Sequence, residues 1–394
     1  MQRISRRLQN MSYSQTLAMS AKARELSSQG HDVISLSVGE PDFSPPNFVL
    51  QAAKKAIDKG HHYYTPVPGY LELREAVCEK FLRDNQLNYQ PSQVVVSTGG
   101  KQSIINVFLA LLNPGDEVII PGPYWVSYYE MANLCEAKQV ILPTSVEANF
   151  KISPEQLETA ITPRSKVFIF SSPCNPSGSV YTREELKALA EVFARHPQLI
   201  IISDEIYEHI NYSGSYTSIA EFPEVYEQIV TLNGLSKAFA MTGWRVGYIG
   251  APEWLAKACD KVQGQTTSGA NAIAQQAAIS ALRVAPERIG YMIEAFEKRR
   301  DLVLKEIQKL PGFYCNIPQG TFYIFPEVSA LFGRTFSGVK ISNSDDLSMY
   351  LLEKAHVAVV GGAPFGDEKS LRISYAVSEE KLNEAFSRIH QALS

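Results

Sequence analysis

Short stretches in which nearly every position is apolar recur along this chain. Between them run segments whose apolar residues fall three or four apart. The first kind lies at 94–96, 117–120, 140–142, 167–170, 199–202, 229–232 and 245–249. Strands apolar at successive positions are expected where a sheet is covered by helices on both faces. The second kind has readable starts. Thr182 followed by Glu185 forms a capping box opening TREELKALAEVFARH, and Ser153 with Pro154 opens the short helix upstream. The alternation predicts an α/β fold built on a mostly parallel, doubly wound sheet.

After about residue 285 the pattern changes. A long charged helix is predicted at 286–309, then a strand at FYIF (322–325), a helix at 345–355 and a strand at VAVV (357–360). LRISYA and a last helix at 378–393 follow, with Leu382, Phe386, Ile389 and Leu393 on one face. These elements predict a smaller α/β domain, completed by an N-terminal helix near 18–29. The expected division is 38–284 for the large domain and 1–37 plus 285–394 for the small one.

Composition narrows the class without touching the chemistry. The chain has 394 residues, 45% hydrophobic and 20% charged, with 37 basic against 41 acidic side chains. That balance gives no electrostatic reason to bind nucleic acid. No apolar run reaches the roughly 20 residues of a membrane helix. Five cysteines, at 78, 135, 174, 259 and 315, are scattered and odd in number, which suits a reducing compartment and predicts a cytoplasmic protein. The start, MQRISRRLQNM, has no apolar core and reads as a basic arm, with a transit peptide as the alternative.

Ligands of open α/β sheets sit beyond the carboxyl ends of the strands, so the residues there carry the chemistry. They are STGGKQS, PGPYWVSYY, SSPCNPSG, SDEIYEH and NGLSKAFAMTGWR. The first is either a plain turn or a glycine-rich helix start whose free N–H groups favour a phosphate. Asp204 is either a helix cap or a fixed anion facing a cationic ring nitrogen. Lys237 stands among Gly234, Ser236, Ala238 and Phe239, a setting that desolvates the amine and makes it nucleophilic. Arg245 is a fork suited to phosphate or carboxylate, and Trp125 is either plain core or a stacking face. An amine, an anion, a phosphate cradle and an aromatic face together specify pyridoxal 5′-phosphate. GxGxxG after the first strand, a Walker loop and HExxH are all missing.

With SVGEPDF, YYTPVPGYLELREAV, STGGKQ, PYWVSYYE, NPSG, SDEIYEHI, SKAFAMTGWRVGY and LRISYA in order, the chain resembles fold-type I, class I pyridoxal-phosphate aminotransferases. The bacterial aspartate aminotransferase subgroup is the nearest in pattern. The resemblance implies that Lys237 is the Schiff-base lysine and proton carrier. It implies that Asp204 holds the pyridine nitrogen, that Asn175 and Tyr207 bond the phenolic oxygen, and that Trp125 stacks on the ring. The phosphate would meet the backbone of Gly100 and Lys101, the side chains of Gln102, Ser236 and Arg245, and Tyr64 of a second subunit in a homodimer. Arg372, with the backbone of Gly39, would take the substrate α-carboxylate. Lys101 would take the distal carboxylate, a surface lysine being the alternative.

The implied activity is L-aspartate:2-oxoglutarate aminotransfer by a ping-pong route. Alternatives on the same scaffold are aminotransfer to aromatic, methionine-type or prephenate-type substrates and a C–S β-lyase. A regulator's ligand-binding domain would need a DNA-binding module that the residues before SVGEPDF are too few to form. Three departures stand out: Cys174 and Ser177 flank the Asn-Pro pair, Gly234 replaces a serine common in relatives, and Ser44-Pro45 follows EPDF where prephenate users often have Asp-Thr.

Overall fold

Seven strands form the main sheet of the computed structural model, which describes residues 4–9 and 11–394. Residues 1–3 and 10, part of the basic arm, lie outside the described ones. The strands are β1 (Val94–Ser97), β2 (Glu117–Pro121), β3 (Lys138–Leu142), β4 (Ser165–Ser171), β5 (Ile200–Asp204), β6 (Ile229–Gly234) and β7 (Gly247–Gly250). Their order across the sheet is β1-β7-β6-β5-β4-β2-β3. Consecutive side chains alternate between faces. Val94 and Val96, Phe168 and Ile201 therefore enter one buried cluster, while Val95, Ile169, Ile200 and Ile202 enter another. Each face carries its own core, and every such fully buried aliphatic contributes about 1.5–3 kcal/mol.

The sheet is α/β and mostly parallel, as the apolar pattern predicts. β7 is the exception, running antiparallel to both β1 and β6. The link from β6 to β7 holds only a short 3-10 turn, Thr242–Trp244, and no crossover helix. Parallel neighbours need such a crossover, so the chain turns back instead. The strand also starts later than expected. Arg245 sits at φ 58°, in left-handed backbone, and the ladder begins at Gly247.

Both predicted helix caps are present, the one at Ser153 as a full capping box as well. Thr182 accepts from Glu185 N–H ahead of the Arg183–Phe193 helix, and Ser153 accepts from Gln156 N–H ahead of Pro154–Ala160. The predicted 286–309 helix is a 3-10 turn, Pro286–Ile289, followed by Gly290–Ile307. VAVV is divided between two sheets. Val357–Ala358 pairs in parallel with Ile34–Ser35, whereas Val360–Gly361 joins Leu371–Ser374 and Tyr323–Ile324 in an antiparallel sheet. The start of the chain is thus hydrogen-bonded to its end.

Strand order places the ligand crevice. From β4 the order runs through β5 to β6 in one direction, and from β2 to β3 in the other. Chain segments leaving β4 and β2 part company at this switch point, which opens a space above the carboxyl ends.

Candidate active site

A cavity of about 580 Å³ occupies that space. Each strand end contributes one kind of chemistry. β5 ends on Asp204, which is 4% exposed and accepts hydrogen bonds from the Tyr128 hydroxyl at 2.5 Å and the Ile206 N–H at 3.2 Å. Among the described residues it has no ion-pair partner. Burial pushes its carboxyl up to about 6, and the Tyr128 hydrogen bond opposes that rise. An ionised Asp204 therefore lacks a cation that a ligand could bring.

Lys237 lies on the turn after β6. Its Nζ donates to the Gly39 carbonyl at 2.5 Å. Burial, and then the positive charge of Arg372, lower it to about 8. An amine so placed is neutral often enough near neutral pH to act as nucleophile or base.

Another part of the cavity wall is built for an anion. The Gly100–Leu111 helix opens on the cavity, and the first-turn amides of any helix have no carbonyl partner within it. Arg245 reaches the same place, with Nη1 donating to the Thr242 carbonyl at 2.8 Å. Gly99 makes that approach possible. Its φ is +83°, and a Cβ there would lie 2.3 Å from Arg245 Nη2. Lys101 is exposed, but its ammonium stands 5.0 Å over the Trp125 ring. Partial burial and the neighbouring Arg245 lower its pKa.

Arg372 comes from the far end of the chain, on Leu371–Ser374. It donates to Asn175 Oδ1 at 3.1 Å and to the Ser37 carbonyl at 2.8 Å. Its plane rests 4.6 Å from the Tyr323 ring. Among the described residues its Nε is buried without a partner, as is Ser171 Oγ on the same cavity's wall. Tyr207 hydrogen-bonds Tyr323 between their hydroxyls at 3.1 Å, and burial raises it far above the usual phenol range.

Of the residues singled out in the sequence, Gly39, Gly100, Lys101, Trp125, Asn175, Asp204, Tyr207, Ser236, Lys237, Arg245 and Arg372 all line this one cavity. Two do not. Gln102 turns away, accepting from Thr98 N–H at 2.5 Å and donating to the Thr267 hydroxyl. Tyr64 is 98% exposed and belongs to no wall of its own chain's cavity. At Gly234 a Cβ would lie 2.9 Å from the Val246 carbonyl, so a serine there would need the neighbouring backbone to shift.

Sequence reasoning missed Tyr128, Tyr323 and the trio Ser14, Thr16 and Leu17 at the cavity wall. Tyr128 was legible in principle. It stands three residues after Trp125, one helical turn along the Val126–Leu134 helix, so both face the same way. Nothing local marks Ser14–Leu17, because the start of the Gln15–Ser28 helix meets the site only through the tertiary fold.

The chain is similar to known proteins over nearly its whole length. A family model described as aminotransferase class I and II matches residues 31–389. A protein of Cereibacter sphaeroides named aspartate/prephenate aminotransferase is 50% identical over 379 residues, 95% of each chain. The structure of the aspartate aminotransferase from Rhizobium meliloti matches with a TM-score of 0.96 at 42% identity, covering 100% of this chain and 99% of that one. The Thermus thermophilus aspartate aminotransferase with maleate matches with a TM-score of 0.93 at 42% identity, covering all of both chains.

Proposed function

The chain belongs to the class I and II aminotransferase family, and from that premise we propose that it is a pyridoxal-phosphate-dependent enzyme moving the amino group of L-aspartate to 2-oxoglutarate. The observation that carries the reading is the meeting, in one cavity, of a desolvated lysine, an unpaired buried carboxylate, an anion cradle and a second arginine.

The residues fit the cofactor. Asp204 is an anion awaiting a cation, and a protonated pyridine nitrogen is one. The first-turn amides of Gly100 and Lys101, with Ser236 and Arg245, suit its phosphate. Trp125 offers a face to the ring, and Asn175 and Tyr207 offer donors to its phenolic oxygen. When bound, pyridoxal phosphate supplies an aldehyde for amine exchange and a ring that accepts electron density from the substrate Cα.

The protein's own groups do the rest. Arg372 grips the α-carboxylate as a fork, already held in register by Ser37 and Asn175. Lys237 Nζ would take up the proton from the substrate Cα, which a pKa near 8 allows. Asp204, helped by the Tyr128 hydroxyl, would stay ionised against the protonated ring nitrogen. Lys101, at the cavity mouth, meets the distal carboxylate. The α-carboxylate is then held at Arg372 and the distal carboxylate at Lys101, and the same grips serve the incoming oxo acid.

Two further parts of the reading concern assembly. Tyr64, bare on its own chain, reaches the phosphate of a second subunit, making a homodimer with two composite sites. The chain divides into a large domain, 38–284, and a small one, 1–37 with 285–394. Five unpaired cysteines suit the reducing cytoplasm.

A half-reaction screen tests the function. Cofactor-loaded protein is mixed with single amino acids, and conversion of the bound cofactor to its amine form is followed by absorbance. Aspartate and glutamate should convert it fastest. Faster conversion by aromatic amino acids, or pyruvate released from cystathionine without an oxo acid, would overturn the reading. Lys237→Ala should abolish turnover, and retained turnover would sink the assigned role.

A further inference from the structure

Two glutamines that the chemistry does not use, Gln263 and Gln275, are both fully buried, and their amides are completely engaged. Gln263 lies on the Glu253–Thr266 helix. Its Oε1 accepts from Ser97 Oγ at 2.7 Å and Asn106 Nδ2 at 2.9 Å, while its Nε2 donates to the carbonyls of Val67 at 2.7 Å and Val96 at 2.9 Å. Gln275 lies on the Ala272–Leu282 helix. Its Oε1 accepts from Tyr70 N–H at 2.8 Å, and its Nε2 donates to Thr65 Oγ1 at 3.0 Å and the Ala270 carbonyl at 2.8 Å.

These bonds converge on two places. One is the end of β1, Val96 and Ser97, which runs straight into Gly99 and Gly100 of the anion cradle. The other is the segment 65–70, which directly follows Tyr64. The same two places are joined once more by the Val96 N–H, which donates to the Pro68 carbonyl at 3.0 Å. β1 is an edge strand, so this segment covers its open side. An exposed tyrosine thus projects from a loop that is fastened rigidly to its own subunit's cradle. Only a side-chain amide can do this work, because it offers two donors and an acceptor without charge.

We propose that Gln263 and Gln275 are positioning residues that fix Tyr64 for the neighbouring subunit and tie that subunit's phosphate contact to the cradle of their own. The inference rests on the reading that Tyr64 crosses the dimer interface. Its consequence is an effect in trans: disturbing Gln263 in one chain loosens cofactor in the other.

Hybrid dimers test this. One chain is unaltered and the other carries Lys237→Ala, so the visible absorbance of lysine-linked cofactor reports only the unaltered chain's site. Gln263→Glu is then added to the Lys237→Ala chain, keeping the shape of the side chain and removing both donors. Cofactor loss from the unaltered site, followed after gel filtration, should become about fivefold faster, the scale of one lost hydrogen bond. Tyr64→Phe in the same chain is the control.

If Tyr64→Phe speeds release and Gln263→Glu does not, the inference falls and the dimer reading stands. If Tyr64→Phe has no effect, the dimer reading falls and the inference falls with it. The two changes together should act no more than Tyr64→Phe alone, and additive effects would show that Gln263 works by another route. Should Gln263→Glu fail to fold, Gln275→Met releases Thr65 and Tyr70 from a different helix and is read in the same way.

Discussion

Tyr128→Phe isolates the one hydroxyl that keeps Asp204 ionised. Asp204 is buried, and burial alone drives its carboxyl toward the neutral form. Tyr128 opposes this with a hydrogen bond of 2.5 Å. A hydrogen bond to a charged group is worth about 1.5–3 kcal/mol. At 1.36 kcal/mol per pKa unit, its loss moves Asp204 up by about one to two units. A cofactor ring with a protonated nitrogen binds the ionised carboxylate, so affinity weakens as pH falls through the pKa of Asp204. In the unaltered, cofactor-free protein that midpoint lies at about 6. In the variant it moves to about 7–8. The assay is a set of pyridoxal phosphate titrations of cofactor-free protein across pH, read by absorbance. The ligand's own ionisations are common to both proteins and cancel in the difference. The same midpoint in both would refute the assignment of Tyr128 as the group that sets the charge of Asp204.

Three further outcomes follow from the same geometry. Asp204→Asn should stabilise the cofactor-free protein while abolishing transamination. Its folded pKa lies above the ordinary 3.8, so this group favours folding fully below pH 3.8 and loses about 3 kcal/mol as pH rises through about 6. A denaturation midpoint at pH 8 no higher than that of the unaltered protein would contradict this. Gly99→Ala strains a backbone at φ +83° and pushes Arg245 aside. Inorganic phosphate should then bind the cofactor-free protein roughly tenfold more weakly, from a cost of about 1–3 kcal/mol, and unchanged phosphate affinity would place the anion elsewhere. Lys101→Ala should lower kcat/KM for aspartate and glutamate far more than for alanine or phenylalanine, and equal losses would remove Lys101 from substrate selection.

The sheet was legible because its strands are apolar on both faces, as strands sandwiched between helix layers must be. The site was legible because strand ends gather on one edge, so reading the residues after each strand reads the cavity wall. Asp204, Asn175 and Lys237 were found in this way. What escaped reading depended on distance in sequence. The reversal of β7 follows from a missing crossover helix rather than from any residue of the strand. Tyr323 and the Ser14–Leu17 trio reach the cavity only when the two ends of the chain pair. Gln102 sits next to Lys101 in the sequence yet turns to Thr267, a partner 165 residues away that no local pattern announces.

The grip of Arg372 on the Ser37 carbonyl spans 335 residues. On a ribosome, the segments that form the main sheet emerge long before residue 372. The buried cluster on one face of that sheet, however, also takes in Tyr323, Leu371 and Ile373, so that face is completed only with the late segments. Long-range closure of this kind is slow, because the loop entropy must be overcome before the contact forms. A chain that stops before residue 372 therefore lacks both the fork for the α-carboxylate and part of the core beneath the sheet.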